Sequence, residues 1–80
     1  MDTITAVKRR ILELCDKRGI SINKLANLAA VPPSSVKNLL YGKSRNPKLM
    51  TIKMLCAGLG ITLGEFFSTQ EFDGLEQEIK

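Results

Sequence analysis

Apolar side chains recur every three or four positions through most of this chain, the spacing of a helix with one buried face. Ile4, Val7, Ile11 and Leu14 predict a first helix over about residues 3–18, with Gly19 beyond its end and Lys17 and Arg18 complementing the negative terminus. Ser21 suits the N-cap of a second helix over Ile22–Ala29, and Ile20 with Leu25 has the spacing of a hydrophobic staple. Val31-Pro32-Pro33 must interrupt that helix, yet the second proline fits the first position of the next one. A third helix follows over about Pro33–Tyr41, with Val36, Leu39 and Leu40 inward and Gly42 closing it. Leu49, Ile52, Leu55, Cys56 and Leu59 mark a fourth, ended by Gly58 or Gly60. Thr62 and Glu65 have capping-box spacing and open a short fifth helix whose Phe66 and Phe67 fill the core. After a break at Ser68–Gln70, Phe72, Leu75 and Ile79 align on one face of a last helical piece that Gly74 weakens.

The expected fold is therefore all-α. Residues 1–67 form a five-helix domain, and residues 68–80 form an acidic extension with a short helical segment. Eighty residues support one core. Ala26 and Ala29 leave room for another helix to approach the second one closely.

Two short helices joined by a turn of about four residues, spanning 21–42, have the layout of a helix-turn-helix. In that layout the third helix enters the major groove of DNA while the second lies across its mouth. Charge changes this from a shape into a function. From Lys17 to Gly64 there is no Asp or Glu, while Lys17, Arg18, Lys24, Lys37, Lys43, Arg45, Lys48 and Lys53 all fall there. Residues 1–64 carry a net charge of +8 and residues 65–80 carry −4, so a basic body meets a polyanion while the tail faces elsewhere.

The outer face of the third helix supplies candidate base contacts. Asn38 pairs bidentately with adenine, Lys37 donates to guanine, and Ser34 and Ser35 serve either role. Asn23 and Lys24 at the start of the second helix, Tyr41, and Lys43 and Arg45 in the loop Lys43–Pro47 are candidate phosphate contacts. The stripe Phe72, Leu75 and Ile79 is the candidate dimerisation surface, since pairing about a two-fold axis extends a short site.

The pattern Gly19-Ile20-Ser21, Leu25-Ala26, Val31, Val36, Leu39, Gly42-Lys43, Asn46-Pro47, Leu59-Gly60-Ile61 and Phe66-Phe67 resembles the lambda-repressor-like, Cro/C1-type (XRE) helix-turn-helix family over roughly residues 5–67. The resemblance implies a protein that binds operator DNA, usually as a homodimer, and regulates transcription. It places Pro33, Ser34, Lys37 and Asn38 toward the bases and Lys43 and Arg45 on phosphate. Three departures from the family stand out. An Arg in the first helix and a Glu late in the third often pair beneath the surface; here Cys15 and Leu40 stand there, a coherent double replacement because neither charge is stranded. Ile22 replaces a Gln that often grips phosphate. Pro32-Pro33-Ser34 replaces longer base readers, so direct readout rests mainly on Asn38 and Lys37, supplemented by DNA shape.

Other classes fare worse. The chain has no His, its carboxylates cluster in the tail, and no phosphate-cradling glycine pattern occurs, so an enzyme is not expected. Cys15 and Cys56 fall at apolar helical positions and read as reduced core residues rather than metal ligands. The start Met-Asp-Thr-Ile is not a signal peptide and no apolar run reaches a membrane span, which points to the cytoplasm. The expected partners are double-stranded operator DNA and a second copy, with no cofactor, metal or small-molecule effector. A different outcome is an interaction module, such as the antitoxin half of a toxin pair, engaging its partner through residues 65–80.

Overall fold

The computed structural model describes residues 1–43 and 45–79; Ser44 of the basic loop and Lys80 lie outside the described residues. Among the described residues six helices follow in order: α1 (Thr3–Arg18), α2 (Ile22–Ala29), α3 (Pro33–Tyr41), α4 (Leu49–Leu59), α5 (Leu63–Phe67) and α6 (Gln70–Asp73). No strand occurs among the described residues.

Local chemistry sets the helix starts. Asp2 Oδ1 accepts the Thr5 N–H at 3.0 Å to open α1, and Ser21 Oγ accepts the Lys24 N–H at 3.0 Å to open α2. Pro32 and Pro33 open α3 without a side-chain cap. The Thr62–Glu65 capping box is complete: Thr62 Oγ1 accepts the Glu65 N–H, and Glu65 Oε1 accepts the Thr62 N–H.

Three helices end in the same way. Gly19, Ala30 and Gly60 adopt left-handed backbone at the ends of α1, α2 and α4. The next residue, Ile20, Val31 or Ile61, donates its N–H to the carbonyl five positions back, closing a Schellman motif. Each of these β-branched residues also packs on the core. Gly60 is thus the terminator of α4. Gly58 does something different, lying inside α4 where that helix crosses α2 at Ala29.

One core joins the elements, with Ile11, Leu25, Val36, Leu55, Cys56 and Phe66 shielded from solvent. Cys15 and Leu40 both lie within this cluster, packed among apolar side chains. No polar or charged residue is buried among the described residues. Burial raises the thiol pKa of both cysteines above the ordinary value, keeping them protonated.

The C-terminal segment departs from the expected stripe. The break is confined to Ser68 and Thr69, and α6 ends at Asp73 before Gly74. Phe72 turns into the protein's own aromatic cluster, with ring centroids 5.0 Å from Phe67 and 6.1 Å from Phe66. Leu75 is half-buried and Ile79 is 88% exposed, both beyond the helix. Phe72, Leu75 and Ile79 therefore do not form one helical face. Phe72 is bound up with the core instead.

The acidic tail folds back along α1. Glu71 Oε1 lies 3.4 Å from Arg9 Nε, Glu76 lies 3.6 Å from the Met1 amino group, and Glu78 Oε1 accepts the Thr3 N–H at 3.1 Å and the Thr3 hydroxyl at 3.0 Å. The exposed N–H groups and positive dipole end at the start of α1 attract such carboxylates.

Candidate nucleic-acid interface

The start of α3 is fixed by rigid prolines and its inward face by Val36, Leu39 and Leu40, so the opposite face is set as well. Ser34, Lys37, Asn38 and Tyr41 are exposed and follow one another along the outward side of the helix, forming a single stripe. Gly42 ends the helix with extended backbone, donating its N–H to the Asn38 carbonyl at 2.8 Å. A Cβ at position 42 would collide with that same carbonyl oxygen, so the chain can leave the stripe only through a glycine.

Ser35 stands apart from the other candidate base contacts. It is half-buried on the flank of α3 and, with Asn38, lines a cleft of about 250 Å³ shared with Ile4, Pro47, Lys48 and Thr51. Asn38 is the member that reaches both the stripe and this cleft. Asn23 and Lys24 are exposed in the first turn of α2, and Lys43 is exposed just past Gly42. The stretch from α2 through α4 thus presents cations without a carboxylate in its own sequence.

Arg45 differs from the other candidate phosphate contacts. Its Nη2 lies 3.1 Å from Asp2 Oδ2, tying the loop after α3 to the N-cap of α1. The Thr5 hydrogen bonds, together with Arg45 and the amino terminus, lower the Asp2 pKa below its ordinary value. The Thr3 hydrogen bonds do the same for Glu78 and Arg45 adds to it. An acidic edge of Asp2 and Glu78 therefore borders the basic loop.

Arg10 escapes any reading of spacing. Its Nε and Nη2 donate to the Phe66 and Glu65 carbonyls at 2.8 and 2.9 Å, and its Nη1 pairs with Glu13 at 2.6 Å. It thereby satisfies two carbonyls at the end of α5 from a helix more than fifty residues away. Against a burial penalty, hydrogen bonds from Arg10 and Lys17 hold the Glu13 pKa below its ordinary value. No local signal marks this role, because the partners are backbone atoms.

No group of His, Cys, Asp and Glu among the described residues is arranged to hold a metal ion, and no described helix is long and apolar enough to cross a membrane. Among solved structures, the crystal structure of the prophage Lp1 protein 11 superposes with a TM-score of 0.80 at 30% sequence identity, covering 94% of this chain and 100% of that one. No curated protein matches the chain. Residues 10–71 match the Cro/C1-type HTH DNA-binding domain. With its all-helical architecture and an outward stripe on α3, the chain belongs to that family of DNA-binding regulators.

Proposed function

We propose that the protein is a sequence-specific, double-stranded DNA-binding transcriptional regulator of repressor type that acts as a homodimer in the cytoplasm of a bacterium or in the service of a phage. The observation that carries this reading is the exposed Ser34–Lys37–Asn38–Tyr41 stripe on a face whose sequence neighbourhood lacks acids. Asn38 reads adenine, Lys37 donates to guanine or phosphate, and Ser34 contributes a short hydrogen bond. Ser35, half-buried, is confined to the flank. Asn23, Lys24, Tyr41 and Lys43 grip phosphate. Arg45 joins them only by exchanging Asp2 for a phosphate oxygen. The prophage source of the solved relative agrees with the proposed setting.

A homodimer fits because one domain reads only a short half-site. With Phe72 committed to the core, pairing through the C-terminal segment falls to Leu75 and Ile79. Binding to random duplex, measured across salt, tests the electrostatic half of the reading. A dimer neutralising ~6–10 phosphates loses ~10³–10⁵ in affinity between 50 and 200 mM salt. A flat salt response would remove the basis for DNA binding through this face.

A further inference from the structure

We infer that the exposed face of α4, together with Leu28 of α2, is a docking surface for an acidic, amphipathic segment of another protein. Leu49 is 63%, Met50 65% and Met54 37% exposed on α4, and Leu28 is 50% exposed on α2. Met50, Met54 and Gly58 occupy successive i+4 positions, so they form one ridge. That ridge runs into α2, because a Cβ on Gly58 would stand 3.0 Å from the Leu28 carbonyl carbon. The four large apolar side chains lie on two packed helices rather than scattered over the surface, which calls for an occupant. Methionines suit such a face, since their unbranched, polarizable side chains adapt to a partner.

Charge selects the occupant. Lys53 lies within the apolar face of α4, Lys48 precedes it, and Lys24 lies one turn from Leu28 on α2; all three are exposed. No Asp or Glu lies in α2, α3 or α4. A second copy packed on this face about a two-fold axis would oppose lysines with lysines and bring no carboxylate of its own. The acidic tail of another copy is already engaged on its own α1 through Glu71, Glu76 and Glu78. A segment that presents apolar anchors flanked by carboxylates matches both the ridge and its cations.

The test uses the full chain with labelled methionine and leucine methyls and a synthetic helical peptide bearing leucines on one face and glutamates on the other. Only three methionines are present, so Met50 and Met54 supply two of three methionine signals. The expected result is saturable perturbation of Met50, Met54 and Leu28, weakening as salt rises. A peptide with lysine in place of glutamate should not bind. Met50→Ser with Met54→Ser should weaken binding by about tenfold or more, and Lys53→Glu should weaken it while leaving the fold intact by circular dichroism. Four outcomes overturn the inference. These are no saturation, shifts confined to α3, equal binding of the lysine peptide, or methyl shifts that follow protein concentration or anionic vesicles instead of the peptide.

Discussion

Gly58 of α4 lies against the backbone of Ala29 in α2: a Cβ at position 58 would stand 2.8 Å from Ala29 N and 2.9 Å from its Cα. Both contacts are with backbone, which cannot swing aside like a side chain. Gly58→Ala therefore forces the two helices apart. The gain in helix propensity, ~1 kcal/mol, offsets part of the strain. A net loss of ~1–3 kcal/mol is expected in chemical denaturation. An unchanged midpoint would mean that α2 and α4 do not pack this closely.

Ala30 is the one described non-glycine residue with positive φ, at 55°, in the turn between α2 and α3. Gly19 and Gly60 occupy the same place in the other two Schellman ends. Left-handed backbone costs an L-residue ~1–2 kcal/mol, while glycine's freer unfolded state returns ~0.4–1 kcal/mol of that difference. Ala30→Gly should thus raise stability modestly, by ~0.5 kcal/mol. A thermal melt that shows a loss would contradict the left-handed turn.

Arg10 holds the end of α5 by donating to the carbonyls of Glu65 and Phe66, and its side chain is only 13% exposed. Charge-assisted bonds of this kind contribute ~1.5–3 kcal/mol together with the carbonyls they satisfy. Arg10→Ala should cost that amount in denaturant unfolding. Arg10→Lys should recover only part of it, because an ammonium lacks the planar fork that reaches two carbonyls at once.

Helix limits were legible because capping is local chemistry. Ser21, Pro33 and the Thr62–Glu65 pair announced the starts of α2, α3 and α5, and the outward stripe of α3 followed from its inward Val36, Leu39 and Leu40. Three features were not legible, each for a tertiary reason. Gly58 and Gly60 look alike as terminators until the crossing at Ala29 gives Gly58 a separate packing role. Arg10 and Arg45 look like free surface cations until their partners, distant in sequence, come into place. The spacing of Phe72, Leu75 and Ile79 implies a helix, but the aromatic cluster captures Phe72 and the helix stops at Asp73.

Acid should release the tail. The pKa values of Asp2 and Glu78 are both lowered in the folded protein, so the stability they contribute is present above the ordinary carboxylate range of pH ~4 and is lost as pH falls through their lowered values. The Thr3 and Thr5 amide signals should therefore titrate with midpoints below that range, while core methyls of Phe66's neighbours stay unchanged. Glu78→Gln should remove the titration at Thr3 and leave that at Thr5. Midpoints at ordinary carboxylate values would show that these hydrogen bonds do not form.

The claim that the outward stripe of α3 reads DNA sequence is tested most directly by selection from a random duplex library with the full chain and with Asn38→Ala. Asn38 is exposed on the stripe, and replacing it removes a side chain without opening the core. The expected result is an enriched motif for the native chain. In the Asn38→Ala variant one base position of that motif should relax, with a loss of ~1–3 kcal/mol on the preferred site and little change on random duplex. An enriched motif identical in both proteins, bound with equal affinity, would contradict the account.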